Sequence, residues 1–292
     1  MNKKILITGA NGLIGHELLK QLSEENTIYA LSRSKPDIIH SNIFFIEFDL
    51  TQDFNAASLP AEIDIIYHLA QSEHFREFPK KSMDVFQVNT LSTLRLLDYA
   101  RKRGCKQFIY ASSGGVYGNS NEGFTEDQPL LNKENLGFYL STKFCSELLA
   151  ENYSSYFDVI ITRFFFVYGE RQNKSMLIPR LIDNIKNGLV IGIQGKEGLK
   201  INPIYVDDVA VALMKMMTIN GSYKINIGGE EILSLKEICN TIGEILNTTP
   251  HYKINGSEAK HIIGDITKMK SLLTPPKTTL KEGISRLIES AS

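Results

Sequence analysis

Residues 8–15 read Thr-Gly-Ala-Asn-Gly-Leu-Ile-Gly, and this stretch decides the predicted fold. It follows Lys3–Thr8, an apolar run that is typical of a buried strand, and it opens Leu13–Ser23, whose spacing of apolar residues is typical of a helix. A glycine at every third position between a strand and a helix is the pattern of a turn that binds the diphosphate of a dinucleotide. A glycine-rich turn without a ligand is the alternative interpretation.

Each glycine of this turn has a separate reason to lack a side chain. Gly9 permits the tight turn, Gly12 lets the backbone approach a phosphate, and Gly15 allows the helix to pack closely on the strand. The helix N-terminus adds unpaired N–H donors and the positive end of the helix dipole. The residues of this stretch expected to bind the cofactor are Gly9, Asn11, Gly12, Leu13 and Ile14.

The first half of the chain continues to alternate short apolar runs with longer amphipathic runs. The further predicted strands are Thr27–Ser32, Ile43–Leu50, Asp64–Ala70, Gln107–Ser112 and Asp158–Phe166, and the further predicted helices are Ser82–Arg103 and Tyr139–Tyr153. This alternation predicts an α/β fold with a doubly wound parallel Rossmann sheet. It weakens after Gly169, so we expect a Rossmann domain over residues 1–169 and a smaller C-terminal substrate-binding lobe over residues 170–292, interleaved in one structural unit.

The composition argues against several classes of partner. In 292 residues, 32 Lys and Arg balance 33 Asp and Glu, and the net charge of −1 gives no electrostatic reason to expect a nucleic acid or a membrane surface. We expect neither a signal peptide nor a membrane-spanning helix, and no metal ion. The three cysteines cannot all pair with one another, which favours free thiols in a reducing compartment, the cytoplasm.

The end of the second predicted strand bears on the choice of dinucleotide. Sites for NAD usually place Asp or Glu there, on a ribose hydroxyl, whereas this chain has Ser32, Arg33, Ser34 and Lys35. A hydroxyl, a guanidinium and an ammonium together suit a 2′-phosphate. We therefore predict NADP(H) as the preferred cofactor, with NAD(H) as the alternative; in the other interpretation Arg33 and Lys35 point into water. Asp49, which ends the third strand, is a candidate partner of the adenine or an ordinary cap.

A tyrosine and a lysine one helical turn apart form the first candidate for catalysis. Tyr139 and Lys143 lie at positions i and i+4 of a predicted helix and therefore share one face. A phenol has a pKa of ~10, and an ammonium about 4 Å away at an effective dielectric of about 20 stabilises the phenolate by about 4 kcal/mol, or about 3 pKa units. That stabilisation predicts a phenol able to move protons near neutral pH. A solvated helix face is the alternative.

A second candidate lies where the strand Gln107–Ser112 ends in hydroxyls and a glycine turn. Ligands of open α/β sheets bind beyond the carboxyl ends of the strands. We therefore expect Ser113 to hydrogen-bond the oxygen that gains or loses a proton while a hydride moves to or from the cofactor. Ordinary turn residues are the alternative interpretation of Ser112 and Ser113.

Together these elements resemble the extended short-chain dehydrogenase/reductases, in the group of sugar-nucleotide epimerases, dehydratases and reductases. The similarity spans essentially the whole chain. The motifs that carry it are Thr8-Gly9-x2-Gly12-x2-Gly15, Asp49-Leu50, His68-Leu69-Ala70, Asn89, Ser112-Ser113-x2-Val116-Tyr117-Gly118, Tyr139-x3-Lys143, Arg163-Phe-Phe-x-Val-Tyr-Gly169, Tyr205-Val206-Asp207-Asp208-Val209-Ala210 and Asn226-Ile227-Gly228.

The resemblance implies roles for particular residues. Ser113, Tyr139 and Lys143 would form the catalytic triad, the substrate would be a nucleotide-activated sugar, and the two long helices would form a homodimer. Together with the turn and residues 32–34, the implied cofactor contacts are Asp49, Leu50, Leu69, Ala70, Tyr139, Lys143 and Phe166. The candidate substrate contacts are Glu73, His74, Ser112, Ser113, Arg180, Lys200 and Lys260. A solvated loop is the alternative for Glu73 and His74, and His68 is expected in the core.

Departures from the family pattern narrow the expected reaction. The family's 4,6-dehydratases carry an Asp-Glu pair directly after the catalytic hydroxyl, whereas this chain has Gly114 and Gly115, which argues against a dehydratase. Phe166 stands where many relatives have Asn. The missing acid-base pair and the basic end of the second strand together predict an NADPH-dependent keto-sugar reductase. The alternative is an NAD(P)-dependent nucleotide-sugar epimerase on the same triad, and a third reading is a non-catalytic NADP-binding sensor or scaffold.

Overall fold

The computed structural model describes residues 2–52, 56–120, 122–130, 136–256 and 259–290. The strands are β1 (Lys4–Thr8), β2 (Thr27–Ser32), β3 (Ile43–Glu47), β4 (Ile65–His68), β5 (Gln107–Ser113), β6 (Asp158–Phe164), β7 (Val167–Tyr168), β8 (Val190–Gln194), β9 (Lys200–Ile201), β10 (Ile204–Tyr205), β11 (Tyr223–Ile227), β12 (Leu233–Ser234) and β13 (His251–Asn255). The α-helices are α1 (Leu13–Leu22), α2 (Ser82–Phe86), α3 (Ser92–Lys102), α4 (Gly137–Glu151), α5 (Leu177–Lys186), α6 (Val206–Met216), α7 (Leu235–Leu246), α8 (Thr267–Leu272) and α9 (Leu280–Ser290).

The main sheet has seven strands in the order β11-β6-β5-β4-β1-β2-β3. β1 runs parallel to both β2 and β4, and the pairs β2–β3 and β4–β5 are parallel as well. The predicted doubly wound parallel α/β sheet is therefore confirmed. Because the strand order reverses beside β1, the crevice beyond the carboxyl ends of β1 and β4 is the place where such sheets bind ligands.

The central strands are buried along their length because helices cover both faces of the sheet. Ile5, Leu6 and Ile7 of β1 have no exposed surface, whereas no residue of the edge strand β3 is fully buried. One helix departs from the predicted Ser82–Arg103. It consists of α2, a π-helical segment over Gln87–Leu91, and α3.

The chain divides into two units, each made of three segments. The first unit comprises Met1–Gly118, Leu130–Arg163 and Ala210–Ile225, and the second comprises Asn119–Pro129, Phe164–Val209 and Asn226–Ser292. These bounds differ from a single division at residue 169. The end of α6 belongs with the first unit because Tyr67 donates a hydrogen bond to the Leu213 carbonyl at 2.8 Å and Gln107 donates one to the Met216 carbonyl at 2.9 Å. Substrate binding by the C-terminal part stays a prediction.

The second unit contains three small two-stranded sheets. β7 and β10 are parallel, β8 and β13 are parallel, and β9 and β12 are antiparallel. α7 begins with a capping box, in which the Ser234 hydroxyl accepts the Glu237 N–H and the Glu237 carboxylate accepts the Ser234 N–H. Across the described residues of both units, no helix is both long and apolar enough to cross a membrane.

Candidate active site

The glycine turn after β1 has the geometry of a diphosphate cradle. Gly9 has a φ of 69°, and a Cβ on it would lie 2.9 Å from the Cα of Ala70. A Cβ on Gly15 would lie 2.2 Å from the Gly9 carbonyl oxygen, so neither position accepts a side chain. Gly12 caps α1 with extended backbone and supplies no side-chain acceptor. The first N–H groups of α1 therefore face outward as donors for an anion, which fits the diphosphate of a dinucleotide.

The side chains at the end of β2 are engaged with other residues of the chain. The Ser32 hydroxyl donates to the Ser34 carbonyl at 2.7 Å, and the Asn11 amide donates to the Ser34 hydroxyl at 2.9 Å. Arg33 Nη1 donates to Glu73 Oε1 at 2.9 Å. The guanidinium of the predicted 2′-phosphate site is therefore paired with a carboxylate. Glu73, a predicted substrate contact, is thus bound to Arg33, a predicted cofactor contact.

Asp49 acts as a local cap at the end of the third strand. Its Oδ1 accepts the Thr51 N–H at 2.9 Å and the Thr51 hydroxyl at 2.8 Å. The ordinary-cap interpretation of Asp49 fits these contacts, and Leu50 beside it is partly exposed. At the end of β4, His68 lies in the core as expected, with Nδ1 at 2.7 Å from the Thr8 hydroxyl and Nε2 at 2.9 Å from the Thr93 hydroxyl. Burial lowers the pKa of His68 to about 3 and keeps the imidazole neutral.

Lys143 is buried against β5, with only 1% of its surface exposed. Its Nζ donates to the Ala111 carbonyl at 2.8 Å and lies 5.3 Å from the centroid of the Tyr110 ring. Burial lowers the pKa of Lys143 to about 7, although the Glu147 carboxylate acts in the opposite direction. The amine therefore changes its charge near neutral pH.

Tyr139 is held by the segment that follows β4. Its hydroxyl donates to Gln71 Oε1 at 2.8 Å, and its ring lies 5.1 Å from the Phe75 ring, centroid to centroid. Burial raises the pKa of Tyr139 above its ordinary value of 10.0. The expectation that Lys143 brings this phenol close to neutral pH is thus not met here, because desolvation dominates and the Lys143 ammonium binds the Ala111 carbonyl. Tyr139 is a protonated donor in this state.

Ser113 ends β5 next to the helix that carries Tyr139. Its hydroxyl accepts the Gly115 N–H at 3.2 Å. A Cβ on Gly115 would lie 2.9 Å from Leu140 Cδ2, so the glycine turn after Ser113 packs directly on α4. The residues of the predicted triad therefore stand on β5 and α4, two elements in contact.

Ser112 is engaged with another residue of the chain, and its predicted contact with the substrate stays a prediction. It is buried, and its hydroxyl donates to Glu147 Oε1. Glu147 also forms an ion pair with Arg163 of β6, with Nη2 at 2.6 Å from Oε2 and Nε at 3.1 Å from Oε1, and the two side chains are 1% and 2% exposed. The Arg163 guanidinium lies 4.5 Å from the centroid of the Tyr117 ring. This network fixes α4 to β5 and β6.

Sequence reasoning assigned no role to Glu147 or to Asn89. An acidic residue one turn after Lys143 on a buried helix face was the available signal for Glu147. Asn89 lies in the π-helical segment, where its Oδ1 accepts the Ser72 N–H at 2.9 Å and its Nδ2 donates to the Thr142 hydroxyl at 3.0 Å. It thereby ties the segment after β4 to α4.

The remaining predicted residues fall into two groups. Leu69 and Ala70 pack against Gly9, and His74 Nδ1 lies 2.6 Å from Glu77 Oε1. In the second unit, Arg180, Lys200 and Lys260 are exposed. The Lys200 N–H donates to His261 Nδ1 at 3.0 Å, and the Ile262 N–H donates to the Lys200 carbonyl at 3.0 Å, so the structure brings Lys200 beside the segment that follows Lys260.

Phe166 lies outside β6, which was predicted to extend to this residue. It has a φ of 47° in the second unit, a left-handed conformation that Asn tolerates better than Phe, and β6 stops at Phe164. Its predicted contact with the cofactor stays a prediction.

Across the described ranges, no group of three or more His, Cys, Asp or Glu side chains could hold a metal ion.

Lys143→Met is expected to stabilise the folded chain, with a gain that depends on pH. The pKa of Lys143 is about 7 in the folded state against 10.5 for a free lysine. Between these values the unfolded state binds more protons, so the contribution of Lys143 to stability rises with pH. An uncharged side chain removes the cost of burying the Lys143 charge. We therefore expect the free energy of unfolding to rise by about 1–4 kcal/mol at or below neutral pH, and this gain to fade as the pH approaches the free-lysine pKa.

Urea unfolding at about pH 6 and about pH 9 measures this difference. Lys215→Met, at an exposed position on α6, is the matched control and should show no such dependence. A Lys143→Met protein that is less stable than the wild type at the lower pH contradicts the prediction.

Known proteins resemble this chain over its whole length. Residues 5–228 match the NAD dependent epimerase/dehydratase family. A Bacillus subtilis protein named as an uncharacterized UDP-glucose epimerase is 31% identical over 313 residues, which cover 98% of this chain and 96% of that protein. The dTDP-D-glucose 4,6-dehydratase of Mus musculus is 26% identical over 315 residues, which cover 98% of this chain and 88% of that protein. The solved UDP-glucuronic acid 4-epimerase of Bacillus cereus, in complex with UDP-glucuronic acid and NAD, matches with a TM-score of 0.86 at 26% identity and 98% coverage of each chain.

Proposed function

This chain belongs to the NAD dependent epimerase/dehydratase family, and from that premise we propose that it is an NAD-dependent nucleotide-sugar epimerase. The observation that carries the proposal is that one short segment contacts both the glycine turn and Tyr139. Ala70 packs on Gly9 of the diphosphate turn, and the next residue, Gln71, holds the hydroxyl of Tyr139. The proton-transfer group thus stands beside the predicted dinucleotide cradle at the carboxyl ends of neighbouring strands.

The keto-sugar reductase expected from the sequence is the weaker candidate. Its main argument was a basic β2 end that selects NADP(H), and Arg33 is paired with Glu73 instead. The relatives also favour the epimerase: the B. cereus structure contains NAD and is named a 4-epimerase. A dehydratase remains disfavoured because Gly114 and Gly115 supply no acid or base directly after Ser113.

In this proposal the protein's own groups handle the proton. Tyr139 exchanges a proton with the sugar hydroxyl, and Ser113 hydrogen-bonds the same oxygen. The epimerase proposal further requires that Lys143, one turn from Tyr139 and bound to the Ala111 carbonyl in this structure, stabilises the phenolate when Tyr139 accepts the proton. NAD, when bound, supplies a site that takes one hydride from the sugar carbon and returns it to the other face. Oxidation and reduction then cancel, and the product is an isomer.

The test is an assay on the purified chain with UDP-glucose and UDP-glucuronic acid. Product sugars are identified by NMR, and the nicotinamide absorbance is followed in the same samples. Isomer formation without net consumption of reduced cofactor supports the epimerase. Stoichiometric consumption of NADPH on a 4-keto nucleotide sugar instead supports the reductase and refutes the proposal.

We propose a second copy of the chain as its partner, through α2, α3 and α4. These helices leave Met83, Phe86, Leu94 and Leu148 exposed by 67%, 42%, 38% and 46%. An apolar surface of this kind on a globular protein is typical of an interface. Leu148→Arg should halve the mass measured by light scattering. Leu189→Arg, at an exposed leucine outside these helices, should leave a dimer. A wild-type monomer contradicts this proposal.

The proposed compartment is the cytoplasm. Cys105 and Cys239 are buried and unpaired, and Cys145 is exposed and unpaired. Three free thiols suit a reducing environment.

A further inference from the structure

The ion pair between Arg33 and Glu73 joins two segments that the proposed reaction does not otherwise connect. Arg33 follows β2, where an adenosine ribose would lie in a fold of this type, and Glu73 belongs to the β4 loop, defined as residues 71–79. Arg33 Nη1 lies 2.9 Å from Glu73 Oε1, and the side chains are 64% and 59% exposed. Both groups therefore remain accessible to a ligand at this position.

The charges around Arg33 are mostly negative. Besides Glu73, the carboxylates of Asp49 and Asp84 act on Arg33 and raise the pKa of its guanidinium. Three carboxylates therefore act on Arg33, whereas the only charged residues in the sequence at the end of β2, residues 32–35, are the cations Arg33 and Lys35. A dianionic phosphate bound to Arg33 would lie close to these carboxylates.

We propose that Glu73 is the specificity-determining residue that selects NAD over NADP. Its carboxylate occupies Arg33, and it supplies from the β4 loop the hydrogen-bond acceptor for a ribose hydroxyl that NAD sites usually take from the end of β2. The 2′-phosphate of NADP, with a charge of about −1.5 to −2, would have to displace this carboxylate and remain close to it. The inference rests on the proposed use of a dinucleotide and deepens it.

The size of the effect follows from the exposure of the pair. Two unit charges about 4 Å apart in water interact by about 1 kcal/mol, which corresponds to about a fivefold change in affinity, and the phosphate charge of about −1.5 to −2 raises the change to about tenfold or more. Because exposed ion pairs contribute little to stability, removal of the Glu73 charge should leave the fold intact. Selectivity should therefore change by about tenfold while unfolding is unaffected.

Glu73→Gln tests the proposal, since it removes the charge and keeps an oxygen acceptor. Dissociation constants of NAD⁺ and NADP⁺ are measured by calorimetry on the full-length chain after removal of nucleotide. A second measurement is the ratio of NAD to NADP released on denaturing the protein as purified. We expect NADP⁺ to bind about tenfold more tightly to the variant than to the wild type, and NAD⁺ to bind slightly more weakly.

Two further variants separate this mechanism from a general change of charge. Glu77→Gln removes one charge from the same loop, where the carboxylate contacts His74 rather than Arg33, and should leave the NADP⁺ to NAD⁺ affinity ratio unchanged. In an Arg33→Ala background, Glu73→Gln should lose most of its gain in NADP⁺ affinity, because the guanidinium that the substitution frees is absent.

The outcomes distinguish this inference from the proposed function. A wild-type chain that binds neither dinucleotide overturns both. A wild-type chain that binds NAD⁺, combined with an affinity ratio that is the same in Glu73→Gln and wild type, overturns the role of Glu73 and leaves the epimerase proposal standing. An equal shift in Glu77→Gln also overturns it.

Discussion

Tyr139→Phe should lower kcat for sugar isomerisation by about a thousandfold. The variant keeps the ring that packs on Phe75 at 5.1 Å and removes only the hydroxyl that donates to Gln71. The fold and the diphosphate turn are untouched, so NAD should still bind. The loss is expected in kcat because the missing group moves a proton during the reaction.

Two measurements separate the loss of a proton donor from damage to the site. The NAD content of the purified variant should equal that of the wild type, and its melting temperature should be unchanged. Tyr156→Phe, the same chemical change at an exposed tyrosine, is the matched control and should keep full activity. Turnover by Tyr139→Phe within a few-fold of the wild type would refute the catalytic assignment.

Arg163→Met should lower the free energy of unfolding by about 3–5 kcal/mol. The substitution leaves the Glu147 carboxylate buried with the Ser112 hydroxyl and without its cation, which lies 2.6 Å away in the wild type. Desolvation of an unpaired charge is the dominant cost. Urea unfolding followed by circular dichroism measures the change.

The double variant Glu147→Leu with Arg163→Met tests the cause of this loss. Because it removes both charges, it should recover most of the stability that Arg163→Met loses. Glu197→Gln, which breaks the exposed pair with Lys236 at 3.0 Å, serves as the surface control and should leave the unfolding midpoint unchanged. A double variant no more stable than the single one contradicts the argument.

The sheet was predictable because its signals are local. The apolar strands, the glycine turn and the weaker alternation of strands and helices after Gly169 can each be read from the pattern of apolar residues and glycines in a short stretch of sequence. The same holds for Tyr139 and Lys143, which share a helix face at a spacing of four residues. The interruption of the helix at Gln87–Leu91 was missed because a π-helical segment has no simple sequence pattern.

The contacts at the site that the sequence did not show join distant segments. Arg33 suggested a phosphate site because its partner, Glu73, is 40 residues away in the chain. Ser112 suggested a substrate contact because Glu147, which accepts its hydroxyl, is 35 residues away. Strand-end side chains can be placed at the correct edge of the sheet from sequence, but their partners depend on which loops and helices the fold brings there.

The π-helical segment also sets the angular phase of the helix that follows it. An α-helix turns by about 100° per residue, so the wide turn at Gln87–Leu91 decides which side chains of α3 face inward. Thr93 reaches His68 and Leu94 lies on the outside in this phase. Deletion of one residue from the segment would rotate α3 so that Thr93 leaves His68. Natural relatives should therefore vary in length at their surface loops and keep this stretch at constant length.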